Sequence, residues 1–292
     1  MSGMCTPVGD ILMTIRAIAD LLPPGAGFAL AAVWGLLVGS FATVAVERWP
    51  AMIEGRLPPD ALLRPGSRCL ACDRPLSWLQ ATPLVGRLVL RGRCACGRDR
   101  LSWLWPAMEG GGVLVMVATL ALTPGHVPAE RALLLQLLAG FLYVAALVDG
   151  RSAYLPDGLT LGALWTGLVA AALSACGLDA IGAGDAVIGA ATGWGAMAAV
   201  AAVGRRLAGQ EALAPGDWKL MAAVGAWGGV PAVVLTALFG ALAALALAPL
   251  VGRFAVAPDG ERRGIPFGPG IALAALVVIA ADLTPAFLFG YD

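Results

Sequence analysis

The sequence predicts an all-α polytopic membrane protein with about eight transmembrane helices and a small cysteine-rich loop domain after the first. Three observations carry that expectation: an apolar composition, apolar runs that recur at bilayer length, and an uneven placement of arginine. Of 292 residues, 59% are hydrophobic and 13% are charged, about half the charged share of a soluble domain. Such a chain has too little polar surface to cover itself in water, so lipid is its main solvent.

A bilayer core takes about 20 apolar residues per helix. Such runs cover residues 26–46, 107–122, 132–148, 159–176, 186–203, 218–229, 230–251 and 269–289. The sixth is short, and Gly228, Gly229 and Pro231 separate it from the seventh. Residues 1–22 carry Arg16 midway, with Asp10 and Asp20. That is not a basic stretch followed by an apolar one, so the first spanning helix is expected to insert uncleaved. The expected division is 1–47 as N-terminal segment and first helix, 48–106 as the loop domain, and 107–292 as a seven-helix membrane domain.

Charge sets the orientation. Residues 48–105 hold ten arginines against four acids, and further arginines lie at 205, 206, 253, 262 and 263. Eight spans put all of these on one side, the cytoplasm by the positive-inside rule, with both termini outside. The turn bearing Asp149, Arg151 and Asp157 falls on the same side. Zero net charge says nothing about partners; a single histidine argues against a histidine triad or a multi-histidine metal site, and no nucleic-acid partner is expected.

The loop carries Cys69 and Cys72 at CxxC spacing, then Cys94 and Cys96 as CxC. Four thiolates suit a tetrahedral structural zinc. Disulfides are the competing reading, and a reducing cytoplasm weighs against them. The loop's remaining positive charge suits anionic lipid head groups. Cys5 and Cys176 stand alone and are read as incidental or structural.

Acids beside apolar helices are costly and need a reason. Asp157 and Asp217 each precede an apolar run near Pro or Gly, where a helix cap would sit. Asp149 ends its run instead, where the helix macrodipole disfavours an anion. The alternative to capping is a carboxylate pair, Asp149 with Asp217. One holds a proton while the other activates water for attack on a peptide carbonyl. The spacing alone does not decide between these readings.

Motif order adds to this. GLLVGSF (35–41), LVLRGRC (88–94), PAME (106–109), Asp149 followed by Leu155-Pro156-Asp157, GQEALAPGDWKL (209–220), GAWG (225–228) and IPFGP (265–269) follow one another. Over about residues 33–280 the chain resembles the type IV prepilin peptidases, GxGD-type membrane aspartyl proteases. It departs from their pattern at Thr43, Leu104, Ala214 and the CxC pair.

The resemblance implies that Asp149 and Asp217 are catalytic, with Asp157, Gly216 and Lys219 in support; Lys219 could also snorkel or meet a lipid phosphate. It implies prepilin or pseudopilin substrates, cut after a glycine between a basic leader and an apolar helix at the cytoplasmic face of the bacterial inner membrane. It further implies N-methylation of the new terminus from S-adenosylmethionine, with Gly92 and Glu109 as methyl-transfer candidates. Two other readings stay open: a peptidase without methylation, and a non-catalytic assembly or transport protein with a zinc-stabilised loop.

Overall fold

The computed structural model describes residues 2–64, 66, 68, 74–94, 96, 97, 100, 102–208, 213–251 and 266–283. Ten α-helices follow in order among them: α1 Ser2–Leu21, α2 Ala26–Ile53, α3 Trp78–Ala81, α4 Val85–Val89, α5 Leu104–Leu122, α6 Ala129–Ser152, α7 Asp157–Leu173, α8 Ala183–Ala208, α9 Pro215–Val251 and α10 Gly268–Ala280. No strand occurs among the described residues; two isolated antiparallel bridges join Arg68 to Pro75 and Arg93 to Arg100.

Among the described residues six helices are long and apolar enough to cross a membrane: α2, α5, α6, α7, α8 and α9. The expected count was eight. The difference lies in two places. Residues 218–229 and 230–251 belong to one element, α9, interrupted at Gly229 (φ 67°, ψ −168°), a backbone conformation that favours glycine. The last run yields α10, only 13 residues long. The first helix also runs to Ile53, beyond the expected end at 46, with Pro50 inside its last turn.

Small residues let the helices approach. A Cβ on Gly35 would lie 2.6 Å from the Gly112 carbonyl oxygen, and one on Gly39 would lie 2.6 Å from Cα of Glu109, so α2 and α5 meet backbone to backbone. Gly189 and Gly193 of α8 meet Gly225 and Met221 of α9 in the same way. In lipid no hydrophobic drive separates helix contacts from lipid contacts, so such close van der Waals packing is what joins the bundle. Around it lies one core that includes Ala42, Met116, Leu138, Leu142, Met221 and Ile271.

Helix α1 lies at the end of the bundle where α6 begins and α7 finishes. Val8 and Leu12 pack on Leu134, Ala170, Leu173 and Leu178. Arg16 pairs with Glu130 in the first turn of α6, donating from Nε to Oε1 at 2.9 Å. A carboxylate there also meets the positive end of the helix dipole. Cys5 and Cys176, read from sequence as isolated, form a disulfide with Cα atoms 4.9 Å apart. On the same end Arg131 reaches Asp179 at 3.3 Å and Asp282 at 3.2 Å.

The disulfide closes 171 residues of chain, and such cross-links are worth about 2–4 kcal/mol. Cys5→Ser is therefore expected to lower the thermal midpoint of the detergent-solubilised protein. It should also expose Cys176 to maleimide without prior reduction, where the parent protein needs a reductant.

Candidate active site

At the opposite end of α6 the helix stops at Ser152, because Ala153 turns left-handed (φ 52°) and its N–H caps the Asp149 carbonyl at 2.7 Å. Pro156, with no N–H to donate, precedes α7, which starts at Asp157. Asp149 thus sits in the last turn of α6, 95% out of solvent contact. Its own helix offers it nothing but carbonyls. The missing donor comes from α10: the Gly268 N–H donates to Asp149 Oδ2 at 3.0 Å.

Asp217 is equally buried but stands in the first turn of α9. Its Oδ2 accepts the Ala214 N–H at 3.0 Å, which is one half of a capping box. The sequence suggested Asp217 as the cap itself; it stands instead as the third residue of α9 and bonds back to the residue before the helix, with its other oxygen left over. Each aspartate is held through Oδ2 by one backbone N–H, and the two carboxylates lie close enough for the charge of Asp217 to act on Asp149.

Gly216 brings the two segments together. A Cβ there would lie 2.7 Å from Cβ of Leu155, so the start of α9 rests on the turn that follows Asp149. Lys219 donates from Nζ to Asp157 Oδ1 at 2.6 Å, tying the first turn of α9 to the first residue of α7. Asp157 is not a side-chain cap; Lys219 is its partner. Ala214 lies outside the positive-φ residues, so an alanine fits there without strain and its backbone N–H does the capping.

The other candidates lie apart from this pair. Glu109, in the second turn of α5, accepts the Leu84 N–H at 2.7 Å. With Ser40, Thr43, Arg48, Gln80 and Arg87 it lines a cavity of about 110 Å³. Gly92 is not among the cavity's lining residues; it is a left-handed turn (φ 69°) whose N–H bonds the Arg87 carbonyl at 2.9 Å. Cys94 and Cys96 have their sulfurs side by side, while Cys69 and Cys72 lie outside the described residues. The two antiparallel bridges bracket the two cysteine pairs, Arg68 with Pro75 around one and Arg93 with Arg100 around the other. Among the described residues no group of three metal-binding side chains occurs. Glu211, Arg253, Arg262 and Arg263 fall outside the described residues.

Sequence reasoning missed the donors. The signal for Gly268 was present as a glycine before Pro269 at the head of an apolar run, yet nothing in the one-dimensional order joins it to Asp149, 119 residues away.

A helical membrane bundle with two buried aspartates at one end is the class of a membrane aspartyl peptidase. Residues 33–123 match the bacterial peptidase A24 N-terminal domain, and residues 136–249 match the type IV leader peptidase family. A protein of Klebsiella pneumoniae named prepilin leader peptidase/N-methyltransferase is 39% identical over 72% of this chain and 89% of its own length. Proteins of that name from Pseudomonas putida and Neisseria gonorrhoeae are each 30% identical, over 88% and 87% of this chain and 92% and 90% of their own lengths. No solved structure matches. The chain belongs to the type IV leader peptidase family.

Two outcomes follow from the backbone roles at 214 and 216. Ala214→Gly should leave prepilin processing within about twofold of the parent, since the capping N–H remains and glycine costs about 1 kcal/mol at most. Gly216→Leu should lower processing at least about tenfold, because its side chain must displace Leu155. Initial-rate assays on the purified full chain check both.

Proposed function

We propose that this chain is a membrane aspartyl endopeptidase that removes the leader peptide of type IV prepilins or type II secretion pseudopilins and N-methylates the new N-terminus. The observation that carries the peptidase reading is the pair of buried aspartates on two different helices, each held at one oxygen by a backbone N–H. Two such carboxylates share one proton. The ionised one takes a proton from water as the water oxygen attacks the scissile carbonyl carbon. The protonated one donates its proton to the carbonyl oxygen. The tetrahedral diol then collapses: the C–N bond breaks, the leaving amine takes a proton from the carboxyl that accepted it from water, and a diol hydroxyl returns its proton to the other carboxylate as the product carboxyl forms, restoring the shared-proton pair. Gly216 and the Lys219–Asp157 pair serve to hold the two segments in register.

The pair is assigned to the cytoplasmic face, where a basic leader would present its junction with an apolar helix. The Cys5–Cys176 disulfide supports this. Disulfides persist in oxidising compartments, and Cys176 lies in the short turn that follows α7, the helix that Asp157 begins. Asp149 and Glu130 stand 19 residues apart on α6, about 28 Å at 1.5 Å per residue. The disulfide end is then periplasmic and the aspartates face the cytosol of a bacterial inner membrane, together with the arginine-rich loop and its anionic lipid contacts.

Eight crossings fit this placement. Gly229 lies near the Asp185 carbonyl at the head of α8, whereas Gly240 and Ala244 pack on Gly270, two residues from the partner of Asp149. The two halves of α9 therefore run in opposite directions, and α10 completes the set. The segments 1–47, 48–106 and 107–292 are the units we assign to N-terminal helix, loop domain and peptidase.

The cysteines fit a structural zinc held by Cys69, Cys72, Cys94 and Cys96: two cysteine pairs, each bracketed by an antiparallel bridge, supply four thiolates. When bound, the ion would join the two turns of the loop. For methyl transfer, Glu109 is the supported candidate. Its carboxylate, with the guanidinium groups around the cavity, suits the cationic and anionic ends of S-adenosylmethionine. Gly92 would act only by shaping the turn next to Arg87.

Asp149→Asn and Asp217→Asn are each expected to abolish processing of a co-expressed prepilin while the protein accumulates normally; undiminished processing by either variant would sink the pair. Mass measurement of the mature N-terminus should show one added methyl group, and an unmodified terminus would leave a peptidase alone. Metal analysis of the purified chain should find about one zinc per molecule, lost on Cys94→Ser.

A further inference from the structure

Gly268 is the first residue of α10, and its backbone does not need a glycine. Its φ is not in the left-handed region, since the positive-φ glycines are Gly25, Gly55, Gly92, Gly97, Gly177 and Gly229. What the position excludes is a side chain. A Cβ there would stand 2.6 Å from Oδ2, 3.0 Å from Cγ and 3.2 Å from Cβ of Asp149. The whole carboxylate lies against the Gly268 backbone, and both residues are buried.

The same residue makes the hydrogen bond that Asp149 needs. A helix start leaves its first N–H groups without intrahelical partners and carries a positive partial charge. At the head of α10 few of these are usable. Pro269 has no N–H, and the Ile271 N–H is taken by the Phe267 carbonyl at 3.1 Å. The Gly268 N–H goes to Asp149 Oδ2. An anion at the carbonyl end of α6 is therefore offset by the amide end of α10.

We propose that Gly268 is a positioning residue for the reaction, fixing the rotation of the Asp149 carboxylate so that Oδ1 is presented to water or to the scissile carbonyl. This rests on the assignment of Asp149 to the catalytic pair. A Cβ at 268 would turn or push the carboxylate by a fraction of an ångström to an ångström, and a displacement of that size costs on the order of a hundredfold in rate.

The test uses the full chain in detergent with a purified prepilin. Gly268→Ala is expected to lower kcat about a hundredfold with KM within about threefold of the parent, since the apolar helix of the substrate is bound elsewhere. Gly270→Ala, whose Cβ would meet Gly240 and Ala244 rather than an aspartate, is the packing control. It should lower kcat only in proportion to folded protein. A thermal double-mutant cycle gives the second readout. Asp149→Ala should relieve the destabilisation caused by Gly268→Ala and leave that caused by Gly270→Ala untouched.

An unchanged kcat in Gly268→Ala overturns the proposal, as does a kcat loss matched by Gly270→Ala, or destabilisation that Asp149→Ala does not relieve. Asp149→Asn, assayed alongside, keeps the two readings apart. Processing that persists there removes the catalytic pair itself. Loss there with an unimpaired Gly268→Ala removes only the positioning role.

Discussion

Two carboxylates buried inside an apolar bundle are the constraint around which the rest of this structure is arranged. A charge or strong acceptor without a partner in such surroundings costs several kcal/mol. Each aspartate is accordingly met by a main-chain N–H from a helix start: Asp217 by its own, through Ala214, and Asp149 by that of α10, through Gly268. Backbone donors suit this purpose. They bring no titrating group of their own, and they cannot swing away without unwinding a helix.

The demand reaches outward through close packing. For Gly268 to touch Asp149, α10 must sit against α6; a separate close contact, Gly240 with Gly270, joins α10 to α9. For Asp217 to stand nearby, the start of α9 must rest on the turn after Asp149, which the absent side chain at Gly216 permits. The Lys219–Asp157 pair crosses the same junction. It is partly exposed and worth no more than about 1 kcal/mol, so it sets register rather than holding the site together. At the far end the Cys5–Cys176 disulfide and the Arg16–Glu130 pair fasten α1 over the ends of α6 and α7.

The loop between α2 and α5 is a second centre, separate in chemistry. Isolated bridges join Arg68 to Pro75 and Arg93 to Arg100 on either side of its cysteine pairs in the chain, and its arginines share a cavity with Glu109. The link to the membrane domain is again a pair of glycines: Gly39 lets α2 lie against the backbone at Glu109, so the carboxylate is placed by the bundle while its hydrogen-bond donor, Leu84, belongs to the loop.

Much of this was legible in the chain order. Apolar runs and arginine placement identify a helical membrane protein, because lipid forces every spanning backbone group to bond within its own helix and leaves a run of fixed length as its mark. Asp149 and Asp217 stood out because acids are rare next to such runs. Capping and catalysis could not be separated for Asp217, and they are not exclusive: Oδ2 accepts the Ala214 N–H, and the other oxygen is left for the role proposed above. Cys5 and Cys176, read as incidental or structural and as standing alone, are bonded to each other. Eight spans were expected and six helices of spanning length occur among the described residues, since Gly229 falls inside the single element α9 and α10 has only 13 residues. Hydrophobicity and local turn chemistry act along the chain, so the sequence by itself determined where the long apolar helices run and marked Asp149 and Asp217 as acids that need a partner. Contacts between residues more than a hundred positions apart depend on how helices pack. Only the tertiary structure decided that Gly268 meets Asp149, that Gly216 meets Leu155 and that Cys5 meets Cys176.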